Sequence, residues 1–302
     1  MGLLRDRTVI AQQVIEANSG EGLSAQLPRI ASVLHSLCGD VGVPVRDCSA
    51  LALAIPGLID NTSLRVRDAA FGKYTDAAQL DLPRWSLESF GLRLLLENDA
   101  RMALLGEWQA GAGRGNDDLV MVTLGTGLGS AVLVAGSLLY GKHGQAGILG
   151  GHLTVQQDGR ACVCGNRGCA EAEASTSILP RIAADATAFS ESPLSRCKVI
   201  DYTRLFALAR AGDPCSMRLR DRSLRIWSSM IVNLVHAYDP ERVILGGGVM
   251  SADLDVVAEL RDSVLARANT PWGRVEIVPG QLGDSAALLG GEYLIADSLA
   301  PH

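Results

Sequence analysis

Between Leu119 and Gly141 runs the longest stretch of the chain without a charged side chain, long enough to cross a bilayer. Such a run belongs either in a membrane or in the interior of a soluble domain. It is broken by Gly125, Gly127, Gly129, Gly136 and Gly141 and by the hydroxyls of Thr123, Thr126, Ser130 and Ser137. Two buried strands around a glycine turn accommodate that pattern better than a lipid-facing helix does. Near the start, Arg5, Asp6, Arg7 and Glu16 interrupt any apolar leader, so the expected compartment is the cytoplasm.

The 302 residues suit two modest domains, and 48% apolar with 20% charged residues is enough to bury a core. Lys and Arg total 27 against 33 Asp and Glu, a net charge of −6, which argues against a nucleic-acid partner. Leu23–Leu37 has helical spacing, and the apolar run Ala50–Ile55 reads as a strand stopping at Pro56-Gly57. Leu92–Leu96 reads as a strand, followed by a helix from Asp99 through Trp108 to Gly111. Val120–Leu124 and Ala131–Val134 flank the glycine turn, and Asp213–Tyr238 is helical. Val243–Leu245 is a strand entering Gly246-Gly247-Gly248, and the strand Val275–Val278 lies between helices over Ala252–Ala268 and Asp284–Leu299. Alternating strands and helices make an α/β protein. The polar, glycine-rich stretch Gly111–Asp118 places a domain boundary near 115, dividing 1–115 from 116–302.

Four constellations carry chemistry. The turn Gly125-Thr126-Gly127 follows a strand, so its N–H groups can cradle phosphate oxygens; an ordinary tight hairpin has the same pattern. Gly246-Gly247-Gly248 is a second strand-to-glycine junction, open to a nucleotide or to a plain turn. Asn98 and Asp99 lie where a strand meets a helix. There Asp99 serves either as a general base with Asn98 orienting the substrate, or simply as a helix N-cap. Of seven cysteines, Cys38, Cys48, Cys197 and Cys215 are scattered and read as small buried apolar residues. Cys162, Cys164 and Cys169 cluster downstream of His152, and three thiolates with one imidazole fill a closed tetrahedral Zn²⁺ site. Gly165 and Gly168 provide its tight turns, and the closed donor set argues against a zinc hydrolase. Taken alone, Glu171 is a solvated surface acid.

With Gly151-His152 and the Cys-x-Cys-Gly-x-x-Gly-Cys-x-Glu pattern from Cys162 to Glu171, the chain resembles the ROK family of repressors, uncharacterised frames and sugar kinases. The likeness runs from about Val9 to the last helix. It implies a two-lobed actin/hexokinase-like (ribonuclease H-like) fold whose last helix returns to the first lobe. It further implies an ATP-dependent kinase of a hexose or hexose derivative, with Asp99 as base and Mg²⁺ accompanying ATP. Asn98, His152 and Glu171 are implied on the sugar, with Gly125, Thr126 and Gly127 on the phosphates and Gly246, Gly247 and Gly248 on the adenosine side. His152 is implied both on the sugar and, with Cys162, Cys164 and Cys169, on a structural zinc. The expected partners are a small-molecule sugar and further copies of the chain. The alternative is a non-catalytic sugar-binding or regulatory relative. Two departures stand out. No Asp-x-Gly-Gly-Thr phosphate turn precedes Val9, and the resemblance then implies that the family's first strands are missing from the sequence as given. The expectation is sugar binding with poor phosphorylation, or a true start further upstream. Leu149 occupies the position three before the zinc His where the family usually has a sugar-contacting Glu, which implies altered substrate choice or weaker binding.

Overall fold

A computed structural model describes residues 1–69, 72–252 and 255–299. Two compact units divide the chain: unit one takes Met1–Gly115, Tyr140–Ala146 and Gln281–His302, and unit two takes Asn116–Leu139 and Gly147–Gly280.

Unit one begins with an antiparallel hairpin of β1 (Gly2–Arg5) and β2 (Thr8–Gln12). Its turn holds Asp6 and Arg7 at φ 52° and 63°. Left-handed two-residue turns favour Asn-Gly, so Asp-Arg carried no hairpin signal. There follow α1 (Leu23–Asp40), β3 (Leu51–Ile55), β4 (Gly57–Asp60), β5 (Arg65–Ala69), α2 (Leu82–Phe90), β6 (Leu94–Asn98) and α3 (Asp99–Ala110). β3 stops before Pro56 as expected, and a second strand starts directly after it: β3 pairs in parallel with β6, and β4 turns back on β5. Leu23, Leu27, Ile55, Ile59, Val66, Leu82, Leu94 and Leu96 form one buried core. Parallel register sets Ile55 opposite Asn98, so β6 delivers Asn98 to the start of α3.

In unit two the uncharged run becomes β7 (Leu119–Leu124), β8 (Leu128–Val134) and β9 (Ser137–Leu138), and no described helix is long and apolar enough to cross a membrane. Then come α4 (Ala170–Ala174), α5 (Leu179–Ala184), α6 (Tyr202–Arg210), α7 (Pro214–Tyr238), β10 (Arg242–Gly246), α8 (Gly248–Ala252), α9 (Asp255–Leu265) and β11 (Glu276–Pro279). Within the helix expected over Ala252–Ala268, α9 spans Asp255–Leu265, and residues 253–254 lie outside the described set. One five-stranded sheet has the order β11-β10-β7-β8-β9, parallel through the first three and antiparallel at β8 and β9. Buried residues run almost without a break along β7, as expected for a strand covered on both faces. Its core includes Trp227, Ile231 and Val235 of α7 and Val256, Leu260 and Val264 of α9.

The last helix, α10 (Ala286–Leu299), returns to unit one and packs along α3. Glycines permit the close crossing. A Cβ on Gly106 would overlap the Ala286 carbonyl, and one on Gly290 would overlap the Met102 carbonyl.

Candidate functional site

Asn98 and Asp99 belong to unit one. Asn98 is the N-cap of α3: its Oδ1 accepts from Ala100 N at 3.0 Å and Arg101 N at 3.2 Å. Its Nδ2 donates to the Gly57 carbonyl at 3.0 Å, which leaves one amide hydrogen for a ligand. The capping role open to Asp99 in the sequence therefore falls to its neighbour. Asp99 accepts from Ala100 N at 2.9 Å, and its side chain is exposed. Desolvation by the surrounding protein nevertheless raises its carboxyl above the ordinary range, against the pull of the Ala100 N–H and the Lys73 ammonium. A carboxylate that is accessible and raised in pKa suits a general base.

Behind this junction lies a network that pattern reading did not find. Glu97 is fully buried; its Oε1 accepts from Asn98 N at 2.7 Å, and its Oε2 accepts from Tyr140 Oη at 2.7 Å and Asn61 Nδ2 at 2.8 Å. Arg101, also fully buried, lies 3.6 Å from Glu97 and 4.5 Å above the Tyr140 ring. It donates to the carbonyls of Gly144 and Ala146. The segment 140–146 is thereby tied to the base of α3. A Glu and an Arg four apart at a helix start look like an exposed pair until the burial is known.

Unit two brings both glycine motifs together. Gly246 of β10 is opposite Thr123 of β7, and a Cβ on Gly125 would stand 4.0 Å from Gly248 N. Gly247, at φ 91°, lies against the Leu124 backbone. All three carbonyls of the Gly125-Thr126-Gly127 turn are occupied: Thr176 N, Ser177 N and Gly125 N donate to the oxygens of Gly125, Thr126 and Gly127 at 2.9, 3.2 and 3.0 Å. The N–H groups of Thr126 and Gly127 make no hydrogen bond among the described residues. Carbonyls satisfied from behind and open N–H groups make an anion cradle. Glu171, half-buried in the first turn of α4, accepts from Leu128 N at 2.9 Å. It is no free surface acid.

The four candidate metal ligands converge. Ligand atoms of His152, Cys162, Cys164 and Cys169 all lie within 4.8 Å of one another. Cys164 Sγ is 3.7 Å from Cys169 Sγ, and Cys162 Sγ is 3.5 Å from His152 Nδ1. Zinc bonds of about 2.3 Å to sulfur and 2.0 Å to nitrogen give tetrahedral edges of roughly 3.5–3.8 Å. The donor set fits that ion. Burial and the Cys162 and Cys164 sulfurs push the Cys169 thiol up to about 12. Gly165 and Gly168 lie at φ 89° and 67°, and a Cβ on Gly168 would overlap the Gln156 carbonyl. The short turn Gly150–His152 packs against β8, where a Cβ on Gly151 would overlap the Leu128 carbonyl. Leu149, just ahead of it, is 43% exposed. Among the scattered cysteines, Cys38 and Cys215 are buried as expected, whereas Cys48 and Cys197 are only partly so.

The family model described as the ROK family matches residues 27–298. A glucokinase of Thermotoga maritima is 33% identical over 255 residues, covering 82% of this chain and 80% of the relative. A xylose repressor of Bacillus subtilis is 27% identical over 82% of this chain and 61% of its own length. Among solved structures, a ROK family glucokinase from Streptomyces griseus in complex with glucose and AMPPNP is 27% identical, with a TM-score of 0.81, covering 98% of this chain and 95% of that one.

Proposed function

From the premise that the chain belongs to the ROK family and shares its two-lobed, hexokinase-like fold, we infer that it is an ATP-dependent kinase of a hexose or hexose derivative. The observation that carries this reading is the meeting of the two glycine junctions. They stand at the ends of adjacent strands β7 and β10, with N–H groups at Thr126 and Gly127 that make no hydrogen bond among the described residues. Open backbone donors at strand ends are where α/β folds bind phosphates.

In the proposed reaction, the Asp99 carboxylate takes the proton of a sugar hydroxyl as that oxygen attacks the γ-phosphorus of ATP, and ADP leaves. The raised pKa of Asp99 makes it a more willing proton acceptor. Asn98 fixes Asp99 by capping α3 and offers its remaining amide hydrogen to the sugar. His152 and Glu171 bind sugar hydroxyls, and Gly246, Gly247 and Gly248 face the adenosine. Bound Mg²⁺ supplies counter-charge for the phosphates. His152, Cys162, Cys164 and Cys169 would hold a structural zinc, supported by their mutual distances. That zinc supplies no chemistry to the transfer and keeps the segment between His152 and Glu171 folded.

A panel of hexoses, N-acyl hexosamines and pentoses with ATP, read as sugar-dependent ADP release, tests the reading. At least one hexose should support turnover. The repressor among the relatives gives a second reading, a sugar-responsive binder. Tight sugar binding with no ADP release from any member would favour it and overturn the kinase.

A further inference from the structure

Glu171 has a contact that sugar binding does not explain. Its Oε2 accepts the N–H of Leu128 at 2.9 Å, immediately after the Gly125–Gly127 turn. Gly127 is not among the glycines with positive φ, so backbone conformation does not demand a glycine there. What a Cβ there would meet is the carboxylate itself, with Glu171 Oε2 at 2.6 Å, so a larger residue would have to push that carboxylate aside. The chain leaving α4 continues the same attachment, with Thr176 N and Ser177 N held on the carbonyls of Gly125 and Thr126. Three successive contacts thus fasten α4 and its exit along the back of the turn. The first is the only one made by a side chain, and that side chain is charged.

We propose that Glu171 is a positioning residue for the nucleotide: its carboxylate straps the Gly125–Gly127 turn to α4 and so aims the Thr126 and Gly127 N–H groups at the phosphates. This rests on the kinase reading and extends it. A hydrogen bond from a backbone N–H to a carboxylate is about twice as strong as a neutral one, and it fixes the turn before any ligand arrives. Pre-organised donors lose no binding energy to ordering. The strap acts whether or not sugar is present, which separates it from sugar contact.

The test uses the full chain, as purified, with no sugar. Binding of AMPPNP is measured by calorimetry, and amide exchange is followed over residues 124–129. Glu171→Ala should weaken AMPPNP roughly five- to tenfold and speed exchange at the turn. Glu171→Gln keeps an oxygen for Leu128 N–H but loses the charge, so it should fall between wild type and Glu171→Ala in both readouts. Gly127→Ala should weaken binding in the wild-type background. It should add less than about twofold on top of Glu171→Ala, because the clash is with the carboxylate itself. Unchanged circular dichroism and zinc content establish that each variant is folded. AMPPNP affinity of Glu171→Ala equal to wild type, or a loss in Glu171→Gln as large as in Glu171→Ala, overturns the strap while leaving the kinase reading in place. A wild-type chain that binds no AMPPNP overturns both.

Discussion

At Asn98-Asp99 two neighbouring polar side chains at a helix start divide the labour. Asn98 spends its oxygen on the helix, and Asp99 keeps an accessible carboxylate whose pKa is raised by desolvation. The proton acceptor must be ionised, so kcat/KM should fall as pH drops through the Asp99 pKa. A pH profile should place that inflection above the ordinary carboxylate range; an acid limb at or below it removes Asp99 as the base. Asp99→Asn should lower kcat by about 10²–10⁴-fold while sugar binding, read by calorimetry, survives. Retention of most activity would mean another group takes the proton. The linkage sign also follows. A carboxyl whose folded pKa is raised destabilises the native state once pH rises through that pKa. Asp99→Asn should therefore melt no lower than wild type at pH 7. The pair was visible in the sequence; which member caps α3 was not, because both residue types favour N-caps and only the hydrogen bonds to Ala100 and Arg101 decide.

Individual elements differ in how much the sequence discloses. The convergence of His152 with Cys162, Cys164 and Cys169 was legible because the four lie close along the chain and their side chains have one strong use in common. Cys164→Ser should remove one zinc per chain by elemental analysis and lower the Tm, since ligation and local folding are coupled. Zinc absent from wild type purified without chelator would refute the site. The crossing of α3 and α10 was hidden, because its glycines matter only through contacts between helices far apart in sequence. Gly290→Ala should cost about 1–3 kcal/mol or more, since the added methyl has only the Met102 carbonyl to meet. Gly39→Ala is the control: nothing lies within 4 Å, and α1 should gain about 0.5–1 kcal/mol. Denaturant melts of the two variants should move in opposite directions. The hairpin of β1 and β2 was missed for a third reason, the absence of Asn or Gly at its left-handed turn. β7 and β8, by contrast, announced themselves through an uncharged run broken by glycine.

For the whole molecule, the consequential fact is that unit one is assembled from three separate stretches of chain. α10 covers α3, and its approach is secured by Glu107, which is almost wholly buried. Glu107 accepts from Ala112 N at 2.7 Å, Gln281 N at 3.1 Å and Leu282 N at 2.8 Å. One carboxylate thus clasps the stretch by which the chain leaves unit one and the stretch by which it returns. A fragment of residues 1–115 lacks α10 and two of those three donors. It should show no cooperative thermal transition by circular dichroism, whereas the full chain should; a sharp transition in the fragment would show that α10 is dispensable. The strand-helix alternation and the return of the last helix were foreseeable, but the clasp was not, because a Glu within a helix is ordinarily solvated. The same discontinuity has a temporal side. As the chain emerges from the ribosome, unit two can close on itself once β11 is out, apart from the excursion at 140–146. β3 and α3, made much earlier, must wait for α10 with their apolar faces uncovered, at risk of aggregation. Synthesis therefore completes the molecule out of order: the half that holds the first residues is the last to fold.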